Sequence, residues 1–309
     1  MATMLHLLTR AAILTPLLYA AAQAASPKLA PGLTSQIRTY VSGLGDDSGP
    51  CSEKAPCRTF DAAIKLTLAG GEIFVLDSAN YGPFTIDKAL TIVSEGSVAG
   101  VLATTGAGIK VSAGANDVVT LRGLDLDGGG KATYGIYFYS GQALSIQKST
   151  VRGFAITGIN FAPSAASTLI VSDSLLTDNT SQAIQIAGSR TGSVSGTINR
   201  VRASGNGVGV LASGTNVRLM VSELNAGTNT YGIGAASAAS IMVRSSTIGH
   251  NSVGISADQS AIIRVGQSSV TANQTGWQAT NGGQIESYGN NNVDGNTSDG
   301  APSATVTLR

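Results

Sequence analysis

Hydrophobic and polar positions alternate in short runs along this chain, and the runs recur at a nearly constant spacing. A glycine or alanine followed by an apolar residue occurs at 135–136, 158–159, 183–184, 209–210, 232–233, 254–255 and 276–277. Successive pairs are therefore separated by roughly two dozen positions. Short alternating runs bounded by turn residues are typical of β-strands. A period of this length predicts a solenoid, in which each coil buries its apolar face against its neighbours.

The alternation also predicts which side chains point into the solenoid. Successive residues of a strand point to opposite faces, so the apolar residue of each pair and the residue two positions later share the inner face. One inner row is then Ile136, Ile159, Ile184, Val210, Ile233, Ile255 and Trp277, and the other is Phe138, Phe161, Ile186, Ala212, Ala235, Ala257 and Ala279. Each buried aliphatic side chain contributes about 1.5–3 kcal/mol before chain entropy is subtracted.

A row of asparagines marks the turns of the later coils. Its members recur at almost the same step as the glycine-apolar pairs and are Asn206, Asn229, Asn251, Asn273 and Asn296. Asparagine tolerates the left-handed backbone of a tight turn, so we expect these residues to adopt it. At one coil per strand spacing of about 4.8 Å, successive side-chain amides can also hydrogen-bond to one another.

One short helix is predicted before the strands. Thr59 can cap a helix in which Phe60, Ala63, Ile64 and Leu68 fall on one face, with Gly70-Gly71 as its end. The first coil of a solenoid exposes unpaired backbone and apolar side chains. We therefore expect the helix to cap that end.

The N-terminus has the features of a secretory signal peptide. Arg10 precedes an apolar stretch at 11–22, and Ala22-Gln23-Ala24 fits a cleavage site. The stretch is too short to span a bilayer, which needs about 20 apolar residues, and no later segment is long and apolar enough. We expect an exported protein that is secreted, periplasmic or on the cell surface. The predicted division is a signal peptide (1–24), a flexible lead (25–37), an N-terminal cap (38–71) and the solenoid (72–309).

Charge and cysteine content agree with export. Removal of the signal peptide removes Arg10 and lowers Lys plus Arg from 19 to 18, which equals the 18 Asp plus Glu. No basic excess remains for binding nucleic acid. Cys51 and Cys57 are expected to form a disulfide in an oxidising compartment, stabilising one turn by about 2 kcal/mol. A metal site is the weaker interpretation, because no histidine neighbours the two thiols.

Two segments resemble a known superfamily. GGEIFVLDSANYGPFTIDKALTIVSEG, followed by the coils and asparagine row, resembles the right-handed parallel β-helix, or pectin-lyase-like, superfamily. YVSGLGDDSGPCSEKAPCRTFDAAI is similar to the N-terminal cap of exported bacterial β-helix repeat proteins of unassigned function. The resemblance covers roughly residues 38–309. It implies an all-β, single-stranded right-handed parallel β-helix of about nine or ten coils with a short N-terminal capping helix.

The superfamily resemblance directs attention to acidic residues on the outer face, where many members bind or cleave acidic polysaccharide. The best match is Leu124-Asp125-Leu126-Asp127. With the leucines inward, the carboxylates point outward about 6–7 Å apart, a separation that suits Ca²⁺ or an acid/base pair. Arg152 follows Asp127 by the length of one coil, which places it over Asp127, so an ordinary ion pair between coils is the other interpretation.

A second outer-face candidate contains tyrosines. Tyr137 and Tyr139 are predicted to face outward, beside Asn160 and Gln185 of the next two coils. Such a strip can stack against sugars and hydrogen-bond to them. Packing between strands, where tyrosine is favoured, is the alternative explanation.

The sequence lacks the motifs that distinguish the enzymes of this superfamily. The Asn-Thr-Asp, Gly-His-Gly and Asp-Pro-His motifs of pectate lyases, polygalacturonases and mannuronan epimerases are not present, nor is a Ser-His-Asp arrangement. We therefore predict an exported, non-catalytic β-helix protein without a cofactor, which binds polysaccharide, adheres or has a structural role. The alternative is a divergent polysaccharide lyase or glycoside hydrolase that acts through Asp125, Asp127 and Arg152, with Ca²⁺ as its cofactor.

Overall fold

Parallel strands dominate the structure. The computed structural model describes residues 34–307, and every strand pairing among them is parallel. The expected signal peptide (1–24) and most of the expected flexible lead (25–37) lie outside these residues. Short strands follow one another around each coil, and the single-stranded parallel solenoid predicted from the repeat is confirmed.

The described chain contains one helix and 31 strands. In chain order they are β1 (Gln36–Val41), α1 (Phe60–Leu66), β2 (Thr67–Val75), β3 (Ala79–Asn80), β4 (Phe84–Ile86), β5 (Leu90–Val93), β6 (Ala99–Leu102), β7 (Ala107–Ser112), β8 (Val118–Arg122), β9 (Leu124–Asp127), β10 (Tyr134–Ser140), β11 (Ala143–Gln147), β12 (Thr150–Arg152), β13 (Thr157–Phe161), β14 (Ser167–Ser172), β15 (Leu175–Thr177), β16 (Gln182–Ala187), β17 (Val194–Asn199), β18 (Arg202–Ser204), β19 (Val208–Ser213), β20 (Val217–Ser222), β21 (Asn225–Gly227), β22 (Tyr231–Ala236), β23 (Ser240–Arg244), β24 (Thr247–Gly249), β25 (Val253–Ala257), β26 (Ile262–Gly266), β27 (Ser269–Thr271), β28 (Thr275–Ala279), β29 (Gln284–Ser287), β30 (Asn292–Asp294) and β31 (Ala304–Thr305).

These strands form three long sheets along the solenoid. Sheet 1 has 12 strands, in the order β1-β2-β5-β8-β11-β14-β17-β20-β23-β26-β29-β31. Sheet 2 has 10 strands, in the order β3-β6-β9-β12-β15-β18-β21-β24-β27-β30. Sheet 3 has 9 strands, in the order β4-β7-β10-β13-β16-β19-β22-β25-β28. Each complete coil contributes one strand to each sheet, and incomplete coils at the two ends account for the unequal strand numbers, so the sheets correspond to about ten coils.

The inner rows of sheet 3 stack in the predicted register. Ile136 lies opposite Ile159, and the row continues to Trp277 as expected. The structure extends this row to Ile109 and Phe84. In the second row, the rings of Phe138 and Phe161 stack with their centroids 4.4 Å apart.

Ala279 departs from the predicted inner rows. It is exposed rather than buried. Its strand, β28, is the last of sheet 3, so no further strand covers this residue.

The asparagine row forms a buried hydrogen-bonded ladder. The Nδ2 of Asn229 donates to Oδ1 of Asn251 at 3.1 Å, and the Nδ2 of Asn251 donates to Oδ1 of Asn273 at 3.0 Å. The ladder also includes Asn179, whose Nδ2 donates to Asn206 Oδ1 at 3.0 Å. The predicted amide-to-amide bonding is therefore confirmed.

The expectation that the asparagines themselves adopt the left-handed backbone conformation is wrong. The positive φ belongs to the residue before each of them: 56° at Thr228, 59° at His250 and 57° at Ala272. That residue makes the bend, and each asparagine directs its amide into the stack. A similar ladder of serines at the corner between sheets 1 and 2, which was not predicted, includes the 3.2 Å bond from the N–H of Ser246 to Oγ of Ser268.

Helix α1 packs against the start of the solenoid. Thr59 is its N-cap and accepts a hydrogen bond from the N–H of Ala62 at 3.2 Å, as predicted. Its inward side chains, Phe60, Ala63 and Ile64, are buried. Phe60 contacts the ring of Phe84, the first member of the inner row, at a centroid distance of 4.6 Å.

The helix ends earlier than expected. It stops at Leu66, and the predictions that Leu68 shares its buried face and that Gly70-Gly71 ends it are wrong. Leu68 is 47% exposed and, with both glycines, belongs to β2. Pairing with β1 explains the early end, because Thr67 lies opposite Gln36 in sheet 1 and its hydroxyl contacts that of Thr39 at 2.8 Å.

The cap loop is fixed by a disulfide and by two carboxylates. Cys51 and Cys57 are bonded and buried, which confirms the predicted pairing. Asp47 accepts hydrogen bonds from the backbone N–H and the hydroxyl of Thr59, both at 2.9 Å. The hydroxyl of Ser42, assisted by the N–H of Gly43, lowers the pKa of Asp77 below its ordinary value. These contacts fasten the loop to the first coil.

Candidate functional site

The Leu-Asp-Leu-Asp segment forms β9 on sheet 2. Leu124 and Leu126 are buried, so Asp125 and Asp127 face outward as predicted. Strand β12 lies beside β9 and brings Arg152 directly opposite Asp127. Arg152 and Asp127 lie one coil apart in the sequence and are therefore neighbours in space.

One guanidinium binds both carboxylates. Arg152 Nη1 donates a hydrogen bond to Asp125 Oδ1, and Arg152 Nε lies 3.2 Å from Asp127 Oδ2. The hydrogen bond with Asp125 is the main reason that the pKa of Arg152 is raised above its ordinary value. The other oxygen of Asp127 accepts the N–H of Gly129 at 2.8 Å. The two carboxylates are thus held by this chain's own donors.

This arrangement does not fit Ca²⁺. Calcium takes 6–8 oxygen ligands, whereas the guanidinium of Arg152 contacts the two carboxylates that would bind the ion. Between residues 34 and 307, no group of three or more His, Cys, Asp and Glu side chains is arranged to hold a metal. The ion-pair interpretation explains Asp125 and Asp127 without a cation.

The same contacts limit catalysis at this position. A carboxyl pair that cleaves a glycosidic bond must flank the bond, with the sugar between the two groups. Here the side chain of Arg152 contacts both carboxylates instead. With side chains 31–38% exposed, the cluster has the character of a partly solvated ion pair.

A tyrosine strip lies on sheet 3, on the adjoining face of the solenoid. We define it as Tyr134, Tyr137 and Tyr139 of β10. Tyr139 is 48% exposed. The rings of Tyr134 and Tyr137 stack with their centroids 5.2 Å apart. The outward direction predicted for Tyr137 and Tyr139 is confirmed, and Tyr134 was not among the residues predicted for the site.

The two polar residues predicted beside the strip differ in exposure. Tyr137, Asn160 and Gln185 lie in register on β10, β13 and β16. Gln185 is half-buried, but Asn160 is only 8% exposed. Asn160 is therefore less accessible to a ligand than its place in the predicted strip implies. Gln185 remains available to a ligand on this face.

A shallow groove on sheet 2 was missed by sequence reasoning. It has a volume of about 820 Å³ and runs along the corner with sheet 1 beside Lys148, Thr150, Arg200 and Arg202. Asp173 pairs with Arg200 Nε at 2.6 Å, and this pairing lowers the pKa of Asp173. The sequence signal that could have revealed this groove is the recurrence of charged residues about once per coil after Asp127.

No helix in the described part of the chain is long and apolar enough to cross a membrane.

Comparison with known proteins supports the fold. A family model described as "Right handed beta helix region" matches residues 134–298, and it confirms the handedness implied by the sequence resemblance. No curated protein sequence matches the chain. The structure of pectate lyase Pel9A is similar, with a TM-score of 0.64 and 15% sequence identity over 83% of this chain and 75% of that chain. The A-module of the Azotobacter vinelandii mannuronan C-5 epimerase AlgE6 is similar at a TM-score of 0.63 and 14% identity, over 76% of this chain and 70% of that chain.

Proposed function

The chain belongs to the right-handed β-helix family, and on that premise we propose that it is an exported, non-catalytic glycan-binding protein whose contact surface is the tyrosine strip. The observation that carries the proposal is the exposed aromatic surface of β10, with Tyr139 48% exposed beside a stacked tyrosine pair. Tyrosine offers a sugar both an apolar ring and a hydroxyl. A parallel sheet holds these groups rigidly, so little ordering entropy is lost on binding.

The non-catalytic part of the proposal is supported by the ion pair on sheet 2. Asp125 and Asp127 are the acidic pair in the sequence that best matches a catalytic site, and Arg152 binds both of their carboxylates. The fold is similar to that of a lyase and an epimerase, but a shared fold does not imply a shared activity, because one fold can support unrelated chemistries. Export is supported by the buried disulfide, since such bonds persist in oxidising compartments.

The test is a glycan array probed with the mature chain, followed by affinity measurements on the glycans that bind. Replacement of Tyr139 by Ala removes the most exposed ring, and we expect a loss of about tenfold in affinity. Tyr231→Ala is the matched control, because Tyr231 is a half-buried tyrosine on the same sheet, four coils away. We expect this variant to bind like the parent.

Product analysis on each bound polymer separates binding from catalysis. We expect intact polymer after prolonged incubation, with and without Ca²⁺. Depolymerisation that disappears in Asp125→Asn or Asp127→Asn would establish the lyase or hydrolase alternative instead. Equal affinity of the Tyr139→Ala variant and the parent would show that the tyrosine strip is not the contact surface.

A further inference from the structure

Two methionines remain in the chain once the expected signal peptide is removed, and the structure places them side by side. Of the four methionines in the sequence, Met1 and Met4 fall within the expected signal peptide. The other two, Met220 on β20 and Met242 on β23, are direct partners in the register of sheet 1. They lie one coil apart in the sequence, so the stacking of the coils brings their thioether side chains together.

Both methionines lie on the outer face of sheet 1. The residues on either side of them in β20 and β23 are buried, and these are Leu219, Val221, Ile241 and Val243. Met220 is 49% exposed. Met242 is half-buried and lines a groove of about 820 Å³ on this face. Both side chains can therefore be reached from solvent.

The spacing of the two side chains suits a single metal ion between their sulfurs. Partner residues on adjacent strands are about 4.8 Å apart, and their side chains leave the same face of the sheet. With metal–sulfur bonds of about 2.3 Å, as in zinc thiolates, two sulfurs on opposite sides of one ion lie about 4.6 Å apart. Methionine is unbranched and has three rotatable side-chain bonds, so the two sulfurs can adopt this separation without a change in the backbone.

The ligands at this position select the class of ion. Thioether sulfur is a soft, neutral ligand that favours Cu(I), whereas Ca²⁺ and Mg²⁺ favour oxygen ligands. The residues that flank the pair in the same outer row are Thr197 and Arg264. These two neighbours offer the ion no carboxylate, thiol or imidazole. A soft monovalent ion is the one that two thioethers match.

Three arginines lie near the pair, and each contacts an acceptor of its own. Arg264 Nε lies 2.7 Å from Glu286 Oε2, and Arg244 Nη2 donates to Gln267 Oε1 at 3.1 Å. Arg218 Nη1 donates to two backbone carbonyls at 3.0 and 3.1 Å. These contacts hold the guanidinium groups on acceptors other than the sulfurs. Their remaining positive charge repels a divalent ion twice as strongly as a monovalent one.

We propose that Met220 and Met242 bind one Cu(I) ion between their sulfurs on the outer face of sheet 1. Each thioether donates a lone pair from one side of the ion, and neither has a proton to lose on binding. The site is separate from the tyrosine strip, which lies on sheet 3, and it does not depend on the proposed glycan binding.

The test is a calorimetric titration of the whole mature protein with silver nitrate in a chloride-free buffer. Ag(I) has the charge and the filled d shell of Cu(I) but is not oxidised by air. We expect saturation at one ion per chain. Both methionines should also react more slowly with hydrogen peroxide when silver is bound, because coordination occupies the sulfur lone pair that the peroxide oxidises.

Met220→Leu and Met242→Leu are the diagnostic variants. Leucine keeps the volume and apolar character of methionine but has no sulfur, so we expect each variant to lose affinity about tenfold or more. Two controls should bind silver like the parent. His250→Ala removes the histidine that remains after the signal peptide, and Ile170→Leu changes another exposed side chain of the same outer row.

Several results would overturn the shared site. Absence of saturable heat would show that the protein binds no soft monovalent ion. Parent-like affinity in both methionine variants, or a loss of affinity in His250→Ala, would locate binding elsewhere. Uptake of two ions by the parent and of one by each methionine variant would show that the sulfurs bind separately. None of these results bears on the tyrosine strip, because the glycan array is probed without silver.

Discussion

Single side chains at the corners of the solenoid make contacts that span three coils. Asn251 accepts the backbone N–H of Asn229 at 2.9 Å, and its Nδ2 reaches Asn273 Oδ1, Ala226 O and Gly249 O at 3.0–3.1 Å. It is 3% exposed, so water cannot replace these bonds. The corner depends on one amide per coil, and its loss leaves several buried groups without partners.

Replacement of Asn251 by alanine therefore tests the ladder. We expect a loss of about 2–4 kcal/mol in the free energy of unfolding, because buried donors and acceptors lose their partners. The measurement is a urea titration followed by circular dichroism. Asn225→Ala, at an exposed position on β21, is the control and should change stability by less than about 0.5 kcal/mol. Equal midpoints for the two variants would contradict a structural role for the ladder.

At the scale of elements, the sequence predicted the positions of the strands more accurately than the end of the helix. Side chains in a strand alternate strictly, so the inner rows through Ile159 and Phe161 could be predicted in register. Helix α1 ends at Leu66 because Thr67 pairs with β1, a strand that precedes both the cap loop and the helix in the chain. A local pattern contains no information about that pairing.

The inward assignment of the strands is tested by Ile233→Asp. Ile233 is fully buried on β22, so a carboxylate there should destabilise the protein by several kcal/mol. The lowered urea midpoint is the expected result. Ser256→Asp is the control, because Ser256 lies on the outer face of the next strand, β25, and should have little effect. If Ile233→Asp unfolded like the parent, the inner face would have been assigned wrongly.

At the scale of the whole molecule, a helix closes the N-terminal end of the stack and a small cavity remains at the last described coil. Phe60 of α1 covers the first inner residue, Phe84. At the other end, Gly300 leaves the indole of Trp277 without a stacked side chain above it. The two ends therefore differ in chemistry, although the coils between them are similar.

The proposed export concerns the whole chain and can be measured directly. When residues 1–309 are expressed in a bacterial host, we expect the exported protein to begin near Ala25 and to have no free thiol. Intact-mass analysis with and without alkylation checks both points. A form that lacks residues 1–24 is the control and should stay in the cytoplasm. Recovery of exported protein with Met1 still present would contradict a cleaved signal peptide.

The candidate sites were only partly predictable from sequence. The coil period placed Arg152 over Asp127, but its reach to Asp125 as well depends on the path of a long side chain between two coils. Asn160 shares its outward row with Tyr137 and Gln185, yet it is buried where they are not. Neither outcome follows from the order of residues within one strand.

The sequence by itself determined the solenoid, its coil length and the inner face of its strands, because a repeat along the chain becomes a stack in space and alternation is a local rule. Only the tertiary structure decided where helix α1 ends, which corner residues are left-handed, that Arg152 holds both carboxylates, and that a cavity remains beside Trp277. Each of these depends on contacts between residues of different coils, and those contacts exist only after the chain has stacked.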